Sequence, residues 1–226
     1  MIINHTYRFI FLHIPKTAGT SITNYLSPFT GWNDIELGGT DYGEKIQEIY
    51  CKRFKLHKHS PAQQIRRIIG EDLWEQYFKF AVVRHPLDRL VSAYHFYLQW
   101  DHPSTYPVRE FAGFKEFVCS DYFQKDCKNM SRPTGSQAAF LETGDEIAID
   151  MICRIESLAD DMAAVAARLG LPCPELPQLN ASKPRGNELY FTQEILNLVT
   201  PIYRKDFEAF GYRLPALSDH GIRSSE

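Results

Sequence analysis

The chain has 226 residues, enough for one domain with a sizeable core and short for two. Apolar residues make up 44% and charged residues 23%, which excludes a disordered or fibrous chain. A net charge of −3 gives no bulk attraction to nucleic acid or to an anionic membrane, so a polyanionic ligand would have to be held by local basic residues.

No stretch reaches the roughly 18 apolar residues of a membrane span. The opening Met1-Ile2-Ile3-Asn4-His5 lacks a charged segment followed by an apolar one, so no signal peptide is expected and a cytoplasmic location, in a bacterium, is. Five cysteines, Cys51, Cys119, Cys127, Cys153 and Cys173, have no metal or CxxC spacing. Free thiols are expected, with Cys119 and Cys127 able to pair only in an oxidising compartment.

Taken in order, Phe9 to Leu12 is an apolar run and reads as a short buried strand. Pro15 stops it, because proline cannot donate to a strand ladder. Lys16-Thr17-Ala18-Gly19-Thr20-Ser21 follows, small residues with hydroxyls and one cation, and then Ile22, Tyr25 and Leu26 at helical spacing. Strand, small-residue turn and helix N-terminus make an anion site: free N–H groups point outward and the helix dipole favours negative charge. The order is not that of a Walker A loop, whose lysine follows the second glycine.

Residues 30–50 are glycine-rich and read as loop, with a short helix near Glu44 to Tyr50. Phe54 to His59 reads as a short strand. Ser60 then suits a helix cap and Pro61 the first helical position, with Ile65, Ile68 and Ile69 as the apolar stripe. Asp72 to Tyr77 continues as helix. Tyr77 to Val83 is the clearest strand after the first. Arg84-His85-Pro86 ends it, and a helix follows with Leu87, Val91, Tyr94 and Leu98 on one face. Residues 101–136 are loop-rich, with short helices near Phe114 to Val118 and at Gln137 to Leu141. Ile147 to Ile155 reads as a strand interrupted by Asp150. Ser157 caps a helix through Leu169, ended by Gly170. A proline-rich connection leads to a last helix from about Thr192 to Phe210, in which Pro201 faces away from the core. The tail after Leu217 is expected to fray.

Strands alternating with helices argue an α/β domain with a mostly parallel central sheet flanked by helices. In such sheets ligands bind beyond the C-terminal strand ends, where Lys16 and Arg84 would both stand.

His13-Ile14-Pro15-Lys16-Thr17-Ala18-Gly19-Thr20-Ser21 resembles the 5′-phosphosulfate loop of the sulfotransferases that use 3′-phosphoadenosine 5′-phosphosulfate (PAPS). The likeness is to the carbohydrate branch that contains heparan sulfate 2-O-sulfotransferase and small bacterial enzymes. It implies a P-loop-NTPase-like single domain over 1–226, PAPS as donor, its bisphosphate (PAP) as product and no metal. Lys16, Thr17, Ala18, Gly19, Thr20 and Ser21 would then wrap the 5′-phosphate and sulfate, with Lys16 beside the bridging oxygen.

Arg84-His85-Pro86 with Arg89, Ser92 and Tyr94 resembles the family's 3′-phosphate motif, which assigns that phosphate to Arg84 and Ser92. A planar guanidinium suits it, donating two parallel bonds. Arg89 reads as a structural ion-pair residue. Asn180, Ser182 and Lys183 resemble the late loop that closes over the nucleotide.

His57-Lys58-His59 resembles the His-x-His element of heparan sulfate 2-O-sulfotransferase, whose second histidine is the proposed base, here His59. A histidine near its ordinary pKa of about 6.5 is neutral at physiological pH, and the rate would rise with pH through that value. His57, His13, His85 and His95 are alternatives. The implied acceptor is a hydroxyl of a carbohydrate. Competing readings are a P-loop-like kinase using ATP, against which stands the absence of a Mg²⁺-binding aspartate after a strand, and a non-catalytic nucleotide- or glycan-binding module.

Overall fold

A computed structural model describes residues 1–175 and 190–216. The elements in order are β1 (Ile2–Asn4), β2 (Phe9–Leu12), α1 (Gly19–Leu26), β3 (Ile35–Glu36), α2 (Asp41–Phe54), α3 (Ala62–Ile69), α4 (Glu71–Gln76), β4 (Phe78–Val83) and α5 (Pro86–Gln99). Then come a 3₁₀ segment (Pro103–Glu110), α6 (Phe114–Cys119), α7 (Asp121–Asp126), α8 (Gln137–Leu141), β5 (Glu142–Thr143), β6 (Glu146–Ile147), β7 (Met151–Arg154), α9 (Leu158–Leu169) and α10 (Gln193–Ala209).

The central sheet has five strands in the order β3-β1-β2-β4-β7. β2, β4 and β7 are parallel neighbours. β1 runs antiparallel to both β2 and β3, so it alone is reversed. The two strands that lead to Lys16 and Arg84 are therefore adjacent, with Phe11 opposite Phe80 and Leu12 opposite Ala81. Their C-terminal ends deliver Lys16 and Arg84 to one rim.

Both sheet faces are covered, and the strands divide their side chains with the two-residue period of a pleat. Ile10, Leu12, Ala81 and Val83 join a core with Ile65 of α3 and Phe140 of α8. Phe9, Phe11, Phe80 and Val82 join the opposite core with Ile22 of α1 and Val165 of α9. A third core, lying off the sheet, packs Tyr94 and Tyr97 of α5 against Phe117, Phe123 and Phe207.

Several local expectations change. Phe54 to His59 is not a strand: α2 runs through Phe54, Lys55 closes it in the left-handed region (φ 61°), and the histidines lie in a turn. Pro61, not Ser60, occupies the cap position of α3, while the Ser60 hydroxyl accepts the His57 N–H at 2.9 Å. Ser157 makes no side-chain cap; its hydroxyl donates to Asp161 at 2.8 Å. The strand expected over 147–155 narrows to Met151–Arg154. Asp150, just before it, still meets β4: its N–H donates to the Lys79 carbonyl at 3.0 Å and its carboxylate accepts the Lys79 N–H at 2.6 Å. The described cysteines are free.

Candidate active site

The turn after β2 is built by its backbone. Lys16 (φ 69°) and Ala18 (φ 63°) both take the left-handed conformation, which costs a non-glycine residue roughly 1–2 kcal/mol. Strain of this kind is kept where the surrounding structure imposes it, commonly at ligand sites. Between them Thr17 is buried, and its hydroxyl donates to the Ile14 carbonyl at 2.9 Å, which folds the turn over. α1 starts at Gly19 with no side chain capping its N-terminus, so its first N–H groups remain available.

Gly19 is required by close approach. A Cβ there would stand 1.9 Å from His13 Nε2. His13 is itself buried and stacks on Phe11, and its ring meets the ring of His59 edge-on, centroids 4.7 Å apart. His59 Nδ1 lies 2.8 Å from the His13 carbonyl. A carbonyl only accepts, so Nδ1 carries the proton and Nε2 is the free acceptor. Burial pushes the His59 pKa down to about 3, against the His13 bond, which raises it. Burial also holds His13 well below the ordinary histidine value and lowers His57.

The histidine turn is fastened to α2. The Lys58 N–H donates to Gln47 Oε1 at 2.7 Å, the Lys58 ammonium pairs with Glu44 at 2.6 Å, and the His59 N–H donates to His57 Nδ1 at 3.2 Å. His57 is thereby spent as an internal acceptor, while His59 faces the site.

A cavity of about 480 Å³ collects these groups, with Lys16, Ala18, Gly19 and Thr20 on one side and His13, Lys58 and His59 on another. Thr17 and Ser21 do not line it, and neither do Arg84 and Ser92. The Lys16 pKa is lowered, first by burial and then by the nearby Arg84 charge. Arg84 is anchored through its backbone: its N–H donates to Gln137 Oε1 at 3.0 Å, and Gln137 Nε2 donates to its carbonyl at 2.8 Å. Arg89 is fully buried and donates to the Pro15 carbonyl at 2.9 Å and the Gly135 carbonyl at 2.6 Å. It therefore ties the turn after β2 to the segment before α8 and makes no ion pair among the described residues.

A family model described as "Sulfotransferase family" matches residues 1–213. The chain belongs to the sulfotransferase family. An uncharacterized protein of Archaeoglobus fulgidus is 30% identical over 112 residues, half of this chain and 83% of that relative. The α/β domain with its mostly parallel sheet is the P-loop-like architecture of sulfotransferases, and sulfuryl transfer to a hydroxyl is the chemistry of the family.

Phe96, Trp100 and Arg132 are among the further cavity residues of this sulfotransferase that escaped the sequence reading. Phe96 and Trp100 had a signal: with Ser92 they fall at i, i+4 and i+8, one stripe of α5. Arg132 had none, since it reaches the site through a loop held by its Nε–H bond to Asp126 at 2.6 Å. Asn180, Ser182 and Lys183 lie outside the described residues. Among the described residues no group of three or more His, Cys, Asp or Glu side chains is placed to hold a metal ion, and no helix is long and apolar enough to cross a membrane.

Proposed function

We propose that this sulfotransferase moves a sulfuryl group from PAPS to a hydroxyl of a carbohydrate, with His59 as the base. The observation that carries the reading is the shared cavity: a helix N-terminus with no side-chain cap, a lysine with no ion-pair partner among the described residues and a histidine whose Nδ1 is held by a carbonyl line one space.

The residues fit a phosphosulfate. The loop offers backbone N–H groups and one ammonium, with Gly19 removing the side chain that would block approach. The donor substrate supplies the sulfuryl group. The acceptor oxygen bonds to sulfur as the bond from sulfur to the bridging phosphate oxygen breaks, and the hydroxyl proton passes to His59 Nε2. Lys16 and the loop N–H groups stabilise the charge that builds on the bridging and non-bridging oxygens. With donor bound, its negative charges favour the imidazolium. That offsets the burial that keeps the ring neutral in the free protein. Arg84 and Ser92 would hold the 3′-phosphate beyond the cavity, Arg84 from the strand end and Ser92 one turn before Phe96.

The test is transfer of radiolabelled sulfate from PAPS to a panel of glycans, lipids and small alcohols, alongside calorimetry with PAP and with ATP plus Mg²⁺. Labelled glycan and tight PAP binding are expected. Binding of ATP with Mg²⁺ but not PAP would overturn the donor, and label on non-carbohydrate alcohols alone would overturn the acceptor.

A further inference from the structure

The Lys16 ammonium rests on an aromatic face. Its Nζ lies 4.4 Å from the centroid of the Phe96 ring, inside the range where a ring quadrupole attracts a cation. No carboxylate among the described residues pairs with it. A lysine stem has many rotamers, and among the described residues the Phe96 face is the partner that selects one.

The ring is itself braced. Phe96 stacks on Trp100, with centroids 5.2 Å apart and planes at 27°. Trp100 stacks on His102 at 4.7 Å and 19°. The His102 ring is fixed by Ser104, whose hydroxyl stands 2.8 Å from Nδ1, and the Trp100 carbonyl accepts from Thr105 at 2.8 Å and Arg109 at 3.0 Å. Lys16 therefore sits at the end of a three-ring stack on the cavity wall, rooted in α5 and the 3₁₀ segment.

We propose that Phe96 is a positioning residue: its braced face holds the Lys16 ammonium at the place where the transferring group is met. This rests on the assignment of Lys16 to that group. The wider stack has the same purpose, since a ring free to turn would present its edge, which repels a cation.

The test first reads Lys16 itself by NMR. In the wild type the Cε protons of Lys16 should be displaced upfield by the ring current of Phe96. Phe96→Leu should abolish that displacement and Phe96→Tyr keep it. Turnover should fall about tenfold in Phe96→Leu and recover in Phe96→Tyr, the size expected for losing a partly desolvated cation–π contact. The acceptor KM should stay within about twofold of wild type. In a Lys16→Met background Phe96→Leu should cost nothing more, because no ammonium is left to hold. Should Phe96→Leu fail to fold, Phe96→Met gives the same comparison. An unchanged Lys16 signal, an equal loss in both backgrounds, or a raised acceptor KM at constant kcat overturns the proposal. Failure of the underlying assignment looks different: Lys16→Met alone would keep wild-type turnover, and the NMR comparison would still decide whether Phe96 holds the ammonium.

Discussion

His59 donates its Nδ1 proton to the main-chain carbonyl of His13, 2.8 Å away. One contact thus fixes the tautomer of the candidate base and pins the turn after α2 to the strand end that leads to Lys16. His59 and Lys16 both line the same cavity.

The pH profile follows from the burial of His59. Its pKa is pushed down to about 3, so the free protein keeps a neutral imidazole far below the ordinary histidine value. The acid limb of kcat/KM should therefore fall well under pH 6.5, and the rate should be level from about pH 8 to about pH 5. This differs from the rise through about 6.5 that the sequence suggests. His59→Ala should cut transfer by roughly 10²–10⁴ and leave PAP binding nearly intact. A dead His57→Ala beside an active His59→Ala would move the role to the other histidine.

Lys16→Ala should lower turnover by about 10²–10³, the loss expected for one transition-state donor. Affinity for PAP should change less, because the loop N–H groups remain. Steady-state kinetics with calorimetry separates the two effects, and wild-type turnover in the variant would remove Lys16 from the chemistry.

Arg84 should discriminate the 3′-phosphate. A charge-assisted bond is worth roughly 1.5–3 kcal/mol, so PAP should bind at least about tenfold tighter than ADP. Arg84→Ala should erase most of that gap by weakening PAP alone. Gln137→Leu should act in the same direction and less strongly, because it removes both bonds that hold the Arg84 backbone. Equal affinity of the wild type for ADP and PAP would contradict the assignment.

Gly19→Ala tests the contact between loop and histidine. The added Cβ would fall 1.9 Å from His13 Nε2, so the His13 ring or the loop must move. A loss of about 1–3 kcal/mol in urea unfolding is expected for such overpacking. Turnover should fall as well, since the same ring packs against His59. A variant with wild-type stability and activity would show that the loop yields freely.

Acid stability carries the same signature. His13 and His59 are both depressed in the folded protein and ordinary in the unfolded chain. Between about pH 6.5 and pH 3 the unfolded state binds more protons, so stability is full above about 6.5 and is lost as pH falls. Each histidine contributes a slope of up to about 1.4 kcal/mol per pH unit. Urea midpoints measured from pH 7.5 to 5 should show the decline, and His59→Gln should flatten it. An unchanged slope in that variant would mean that His59 titrates alike in both states.

The strand, turn and helix start around Lys16 were legible in the sequence because their determinants are local. An apolar strand, a proline stop, small residues and a helix start lie side by side, and each restricts the backbone before any tertiary contact forms. The same holds for β4 and the Arg84-His85-Pro86 junction. Strands β1 and β3 went unread because two or three residues carry no measurable period. The histidine turn was misread as a strand because Phe54 to His59 is too short to distinguish a helix end from an extended run.

The sequence by itself determined that the segments around Lys16 and Arg84 each follow a strand and open a helix. Only the tertiary structure decided the partners: His13 with His59, Lys16 with Phe96, Arg89 with Pro15 and Gly135. All of these pairs are far apart in the chain. They meet because β2 lies beside β4, so that α5, the turn after α2 and the segment before α8 converge on one rim. Strand order is settled by burial of the two sheet faces as a whole, a non-local free energy that no single stretch of residues carries.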